Sequence, residues 1–473
     1  MDGTSLVGTA KDQNITKSLC HINRKIMRTP LRKNHGKITF VLYKEPYPCM
    51  GQCLFCFRSK GFTKSTTPNE DTLLAKNSSW NGKKQLEARF QNYAMEKNSG
   101  IKCNLAVKGD SFSSHPENYL RNYTKELYDF LNGQESDTLK EAALLQQTSK
   151  DKCVTYKIEA RPDQIDQEKC KFFAELGVTT VDIGVQSLDD AVLNYNNRGH
   201  TTKEVITTTK LLRQYGFEVV YHMMVGLPGS NLEMEKEFYK NTLWEDQFSP
   251  DAVKIYPCLL LKKEYVNQEK LRNLYVKGIW TPINYDDYIS FLFEISPYIP
   301  RYARITRIQR VICEEKIEAG VKQLVDRRMF SASINCLWQR SIENKDEIDY
   351  SDSNYKIVRH LQGEKRYCFE AGREDDTILG YARLDLADNN SSLIRDIRVL
   401  GNMLLVGEKN TSTNFTGYQH RGIGSALLKS IEDFALHKKI NCIYVKPSFG
   451  TSTWFLDRGY SFVDDYYMVK RLA

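Results

Sequence analysis

The chain has 473 residues, too many for one ordinary domain at roughly 150 residues each, although an α/β barrel alone can take about 250. Hydrophobic residues make up 41% and charged residues 27%, a globular balance that excludes a disordered chain. The net charge of +8 is mild, so the placement of the basic residues matters more than their excess.

The first residues, MDGTSLVGTAKDQN, lack the charged-then-apolar layout of a signal peptide. No apolar run approaches the ~18–20 residues of a membrane span; the best, Val219–Leu227, is interrupted by His222. The expectation is a cytoplasmic protein with no membrane partner. Nine scattered cysteines (Cys20, Cys103, Cys153, Cys170, Cys258, Cys313, Cys336, Cys368 and Cys442) then read as reduced, mostly buried thiols.

Residues 1–34 read as a basic N-terminal arm. Lys17, Arg24, Lys25, Arg28, Arg32, Lys33, Lys37 and Lys44 follow one another with no acidic residue between. Such a run is either a solvated surface or a face for a polyanion. Residues 35–331 alternate strand and helix. Strands are expected at Lys37–Tyr43, Asn104–Lys108, Thr155–Glu159, Thr179–Val185, Phe217–Val225 and Ala252–Tyr256, and helices at Tyr119–Leu131, Cys170–Leu176 and Glu204–Tyr215. Repeated βα units imply a parallel sheet or barrel whose chemistry lies on loops after the strands. Residues 332–372, with the acidic stretch SIENKDEIDYSDSNYK, read as a linker. Residues 373–473 form a second α/β unit. Its expected strands are Ile378–Leu386, Met403–Val406, Cys442–Lys446 and the tail YYMVKRL, with a helix at Ser425–His437.

The loop after the first strand reads Pro48-Cys49-Met50-Gly51-Gln52-Cys53-Leu54-Phe55-Cys56. Cys49, Cys53 and Cys56 on one tight loop suit three irons of a [4Fe–4S] cube, whose fourth iron is left for S-adenosylmethionine (SAM). A structural zinc site is the alternative, but it wants four protein ligands, and no second Cys or His pair lies nearby in the sequence. The turn Lys108-Gly109-Asp110-Ser111-Phe112, Glu159, Gln186 and the segment His222–Gly229 also end strands. Each is either a ligand position of a barrel or a loop-capping group.

Near the C-terminus stands Gln419-His420-Arg421-Gly422-Ile423-Gly424-Ser425. A loop of this kind opening a helix presents backbone N–H groups to a pyrophosphate, which suggests acetyl-CoA; a plain helix-start turn is the alternative. The arginines Arg301, Arg304, Arg307 and Arg310, spaced every three residues, suit nucleic-acid phosphates or pairing with acidic neighbours.

The spacing of the three cysteines resembles that of the radical-SAM superfamily, and the C-terminal unit resembles a GNAT-type N-acetyltransferase. Together with the segments IEARPD, DIGVQSLDDAVLNYNNRGHT, HMMVGLPG, IRDIRVLG and QHRGIGSALL, the chain resembles the tRNA uridine acetyltransferase family, which includes the catalytic subunit of Elongator. The resemblance implies a partial TIM-type radical-SAM barrel followed by a GNAT domain. It implies that Cys49, Cys53 and Cys56 hold the cluster and that Lys102 contacts acetyl-CoA from the radical domain. It further implies that Asp396, Ile397, Arg398 and Val399 pair with the pantetheine, that Gly422, Ile423, Gly424 and Ser425 hold the pyrophosphate, and that Phe455 stands beside the thioester, where the family has a tyrosine. Phe455 has no hydroxyl, so Tyr460 or Trp454 is left to compensate, with Tyr460 taken as the acid–base candidate. The implied reaction joins the acetyl methyl of acetyl-CoA, through a SAM-derived radical, to C5 of a wobble uridine in the tRNA anticodon loop, with hydrolysis of the thioester. The implied partners are tRNA and other Elongator subunits.

The sequence departs from the family in a shorter first cysteine gap, in Phe57-Arg58-Ser59 after the third cysteine, in the KGDSF turn where the family has Gly-Gly, and in the absence of a linker histidine pair. Two other readings stand beside this one: a protein lysine acetyltransferase with a vestigial radical domain, and a non-catalytic tRNA-binding scaffold.

Overall fold

The computed structural model describes residues 37–472 except 58, 60, 64, 327–334, 346–349, 351–353, 407 and 409–416. The basic arm therefore lies outside the described residues, as do parts of the stretch read as a linker.

Strands β1 (Lys37–Tyr43), β2 (Lys102–Lys108), β3 (Lys152–Ala160), β4 (Thr180–Gln186), β5 (Glu218–Val225) and β6 (Ala252–Pro257) pair in chain order, all in parallel. After the two-residue β7 (Leu260–Leu261), β8 (Arg304–Arg307) closes the row against β6, and β7 pairs with β9 (Ile317–Ala319). The expected helices are present as Glu117–Asn132, Gln167–Glu175 and Thr202–Gln214.

Period-two alternation divides the sheet into two unlike faces. Leu105 and Val107, Tyr156 and Ile158, Val181 and Ile183, Val219 and Tyr221, Val253 and Ile255 join the apolar core. The residues between them are mostly polar or charged: Asn104 and Lys108, Lys157 and Glu159, Thr180 and Asp182, Glu218 and His222, Lys254, Arg304. A parallel sheet covered on both faces by helices reads as continuous apolar runs. Here only one face is covered in that way, and the other lines the inside of an open barrel.

The second sheet comprises β10 (Lys356–Gly363), β11 (Arg366–Gly372), β12 (Ile378–Leu386), β13 (Ser391–Val399), β14 (Cys442–Val445), β15 (Ser461–Phe462) and β16 (Met468–Arg471), in the order 10-11-12-13-14-16-15. All its pairs are antiparallel except β13 with β14. Helix Ile423–His437 packs on it through Ile423, Leu427, Leu428 and Ile431. Two expectations are corrected here. The stretch 332–372 contains β10 and β11, so much of the supposed linker is sheet; β10 was illegible because most of its residues are not buried. The apolar run Met403–Val406 is not a strand. It is a loop that docks on the first domain, with Val406 N–H donating to Gly100 O at 2.8 Å.

The two sheets meet across buried ion pairs. Asp251, just before β6, accepts from Arg395 at 2.6 and 2.9 Å and lies 3.4 Å from Arg383, and Gln362 donates to it at 2.9 Å. Glu218 accepts from Arg398 at 2.9 Å and pairs with Arg304. An acid of the barrel thus holds two arginines of the second sheet, which fixes one domain against the other.

Candidate active site

The cysteine loop follows β1 at the C-terminal end of the parallel sheet. Cys49, Cys53 and Cys56 are all half-buried. The loop is tied at several points: Leu54 N–H donates to Asn196 O at 3.1 Å, Cys56 N–H to Cys53 O at 3.2 Å, and Gln268 Nε2 to Phe55 O at 3.1 Å. Two guanidinium groups reach Cys53 Sγ, Arg198 at 3.5 Å and Arg161 at 3.8 Å. A Cβ on Gly51 would press on the end of the Arg161 side chain, so the absence of a side chain there leaves room for the guanidinium beside the loop. Three thiols backed by two cations fit a group bound through thiolates. The KGDSF turn stands beside the loop. Gly109 has φ +83°, and a Cβ there would collide with Thr63. Buried Lys44 donates to Gly109 O, and burial holds its amine down to about 8. Gln186, at the end of β4, has φ +74°, a left-handed conformation that a non-glycine residue holds only under strain.

Below this loop the polar face of the barrel carries a charged cluster. Asp182 is fully buried; it lies 2.9 Å from His222 Nε2, 2.5 Å from Lys254 Nζ and 2.8 Å from Lys157 Nζ. Glu159 lies 3.9 Å from Lys254 and is 29% exposed. Burial would raise the Asp182 carboxyl, but Lys157 and Lys254 hold it well below the usual range. Burial, and then the Lys254 charge, hold His222 down to about 4, so its ring is neutral at pH 7. Sequence reading named Glu159 and His222 but missed Asp182, Lys157 and Lys254. The alternation of β3 to β6 was the available signal.

The glycine loop opens helix Ile423–His437 at the other side of the molecule. Gly422 has φ +85° with open space around its Cβ position, and the first turn of the helix carries no acidic residue. The exposed backbone N–H groups and the helix dipole together suit a phosphate. A Cβ on Gly424 would make ordinary contacts with Trp454 and Val399, at 3.6 and 3.7 Å. Arg458 donates to Ser425 Oγ at 2.9 Å and stacks over Trp454 at 4.1 Å. Asp396, Ile397, Arg398 and Val399 lie on β13, as expected, and Val399 reaches the loop. Arg398 and Asp396 pair with each other at 2.8 Å, and Arg398 also binds Glu218 of the barrel.

Lys102 connects the two units. It begins β2, on the polar face, and its Nζ donates to Gln419 Oε1 at 3.0 Å, the first residue of the glycine motif. Burial lowers its amine below the ordinary lysine value. The same Gln419 oxygen accepts from Leu404 N–H at 3.1 Å. Lys102 and the cysteine loop therefore mark opposite ends of the barrel strands, separated along β2 by about 20 Å at ~3.3 Å per residue.

Other expected residues have different partners. Phe455 is buried on the short helix Ser452–Leu456, with its ring against Trp454 and Tyr460. The Tyr460 hydroxyl donates to Glu432 at 3.3 Å within the core, and burial lifts it above the usual tyrosine range. That engagement argues against the acid–base role proposed for it. Arg301 binds Asp376 at 2.6 and 2.9 Å, and Arg304 pairs with Glu218. Neither is available for phosphates, so that expectation is corrected. Arg310 donates to Ser65 O at 2.9 Å, and of the four only Arg307 is exposed.

Residues 48–241 match the family model of the radical SAM superfamily, 250–335 the radical SAM C-terminal domain, and 332–450 the GNAT acetyltransferase family. The tRNA uridine(34) acetyltransferase of Dehalococcoides mccartyi is 27% identical over 94% of this chain and 100% of its own length. Elongator complex protein 3 of Bos taurus is 27% identical over 95% of this chain and 86% of its own. The solved archaeal Elp3 of Methanocaldococcus infernus, lacking its N-terminus, superposes with a TM-score of 0.76 at 25% identity, over 93% of this chain and all of that one.

Proposed function

Since the chain belongs to the radical-SAM and GNAT family of the tRNA uridine(34) acetyltransferases and Elongator complex protein 3, we propose that it modifies C5 of the wobble uridine of tRNA using SAM and acetyl-CoA. The observation that carries this reading is the joining of a three-cysteine loop and a phosphate-type loop in one rigid arrangement. Lys102 of the barrel is bonded to Gln419 of the glycine motif, and Asp251 is clamped by Arg395.

Cys49, Cys53 and Cys56 would hold a [4Fe–4S] cluster, which supplies an electron for the reductive cleavage of SAM. Arg161 and Arg198 offset the negative charge that gathers at Cys53. Gly422, Ile423, Gly424 and Ser425 bind the pyrophosphate of acetyl-CoA, and the edge of β13 orders its pantetheine. Lys102 stands where the acetyl-CoA loop meets the barrel and suits a phosphate or carbonyl oxygen. The polar face of the barrel receives the reacting groups, and a splayed base from the single-stranded anticodon loop enters from the open side. The chain thus contributes position and charge, while the cofactors contribute reactivity.

The test is anaerobic reconstitution with iron and sulfide, followed by reaction with SAM, acetyl-CoA, a reductant and tRNA. Mass spectrometry should find a carboxymethyl group on the wobble uridine and 5′-deoxyadenosine in solution. Acetylated lysine in a protein substrate without SAM would favour the plain acetyltransferase, and tRNA binding with no product would favour the scaffold.

A further inference from the structure

The cluster of Glu159, Asp182 and His222 is not required by anything said above about cofactor binding. Its ligand-type atoms lie within 4.8 Å of one another, a spacing that would suit a metal ion. Two ammonium groups occupy that role instead. Lys254 Nζ stands 2.5 Å from Asp182 and 3.9 Å from Glu159, and Lys157 Nζ stands 2.8 Å from the other Asp182 oxygen. The acids are therefore already answered, and the imidazole is the group left with a lone pair to offer. Its Nε2 is 2.9 Å from Asp182, which fixes the proton on Nε2. Nδ1 has no hydrogen-bond partner among the described residues, and the side chain keeps 11% exposure toward the barrel interior. A carboxylate that orients an imidazole and sets its tautomer leaves the opposite nitrogen as a base.

The position along the strand adds a second observation. His222 and Glu218 lie on the same face of β5, four residues apart, or about 13 Å. Glu218 is the acid bonded to Arg398 of β13, the strand assigned to the pantetheine. His222 thus faces the barrel interior, one short stretch of strand beyond the point where the acetyl-CoA domain is attached.

We propose that His222, oriented by Asp182, is the general base for hydrolysis of the acetyl-CoA thioester inside the barrel. The proposal rests on the acetyl-CoA reading given above. Nδ1 takes a proton from water as the water oxygen bonds to the thioester carbonyl carbon. The tetrahedral adduct then breaks its C–S bond, and the leaving thiolate takes the proton back from the imidazolium. The products are a carboxylic acid and the CoA thiol, with no oxidant or reductant consumed. The Lys254 ammonium stands on the same face to stabilise the oxyanion.

The groups that act on the ring are Lys254 from β6, Asp182 from β4 and Glu159 from β3, with the uncharged Tyr256 ring of β6 edge-on to it; Lys157 of β3 stands behind Asp182, and Lys108 of β2 acts on Glu159. With the imidazole held down to about 4, the base form is complete at neutral pH and is lost only as pH falls through that value. Hydrolysis should therefore stay level on mild acidification, whereas an ordinary histidine base would already lose activity near 6.5.

The experiment is CoA release from acetyl-CoA by the full chain in the presence of tRNA, without cluster reconstitution, for the wild type, His222→Ala and His222→Gln. Each variant is first checked for a native thermal transition. The expected result is a fall in kcat of about 100-fold for both variants with KM for acetyl-CoA unchanged, and recovery of His222→Ala as imidazole is added. A merely structural role would not give imidazole-dependent recovery. Wild-type turnover matched by either folded variant, or a loss in His222→Ala that imidazole does not restore, overturns the proposal while leaving the acetyl-CoA reading intact. A wild type that neither binds acetyl-CoA nor releases CoA overturns that reading, and the role of His222 with it.

Discussion

At the cysteine loop the ligands are side chains. Three thiols are placed by a short segment that is pinned through Asn196, Gln268, Arg161 and Arg198, contributed by distant parts of the barrel. At the glycine loop the ligands are backbone N–H groups, and the neighbouring side chains matter mainly by staying out of the way, as at Gly422 and Gly424. The first site should fail when an atom is removed and the second when one is added. The two also differ in where they are tied: the cysteine loop is pinned along its length by the barrel, whereas the glycine loop is held to the barrel at its first residue, Gln419, and by Arg458 at Ser425.

The largest effect expected from this contrast is all-or-none. Cys53→Ala should take bound iron from about four per chain to none after anaerobic reconstitution, while acetyl-CoA affinity stays unchanged. Iron retained at full stoichiometry, or replaced by zinc, would remove the thiolate half of the comparison.

Gly424→Glu is the matching change at the other loop. The Cβ has room, so the protein should fold, but the carboxylate would meet the pyrophosphate. Two unit charges 4 Å apart repel by about 4 kcal/mol at an effective dielectric constant of 20, enough to abolish measurable acetyl-CoA binding. Calorimetry checks this, and the iron content should be untouched.

Asp251→Ala tests whether the two loops are held by one interface. It removes the carboxylate that Arg395 and Arg383 share and leaves them Asp385 and Asp396 as acidic partners, at a cost of about 3 kcal/mol, the low end for a broken buried pair, read from urea denaturation. Burial alone would raise the Asp251 carboxyl; Arg395 and Arg383 outweigh it and hold it far below the usual range. A depressed carboxylate stabilises the fold fully above its unfolded value of about 3.9 and loses that contribution as pH falls toward the folded one. The gap between wild type and variant should therefore be constant at neutral pH and shrink only below about 4.

Lys102→Ala removes the bond to Gln419. A hydrogen bond from a charged donor is worth about 1.5–3 kcal/mol, so acetyl-CoA turnover should fall by roughly tenfold or more with tRNA affinity unchanged. The smallest expected change concerns the arm. Removing three charges among Arg24, Lys25, Arg28, Arg32 and Lys33 should flatten the slope of log tRNA affinity against log salt by about 2–3. An unchanged slope would make the arm a solvated surface.

The sequence was most informative where ligands are close together in the chain. Cys49, Cys53 and Cys56, and likewise Gln419 to Ser425, are recognisable because a cluster or a pyrophosphate demands a fixed local spacing. The arginines 301, 304, 307 and 310 show the opposite case. Their regular spacing suggested one phosphate-binding row, but each side chain leaves in the direction its local backbone sets, and Asp376 and Glu218 come from elsewhere to claim two of them. Likewise, the apolar run Met403–Val406 reads as a strand, although it is a loop tied to the barrel by a backbone hydrogen bond from Val406 to Gly100.

By itself the sequence determined the parallel barrel, the helix that opens at Gly422 and the two ligand loops, because periodicity and local spacing are properties of a few consecutive residues. Only the tertiary structure decided which polar residues share a site. Glu159, Asp182, His222 and Lys254 come from four strands and are neighbours solely through parallel register, in which Glu159 lies beside Asp182 and His222 beside Lys254. The partner of Lys102 was decided in the same way. Gln419 is 317 residues away, and no local pattern encodes a contact that exists only once two separately folded sheets have closed on Asp251.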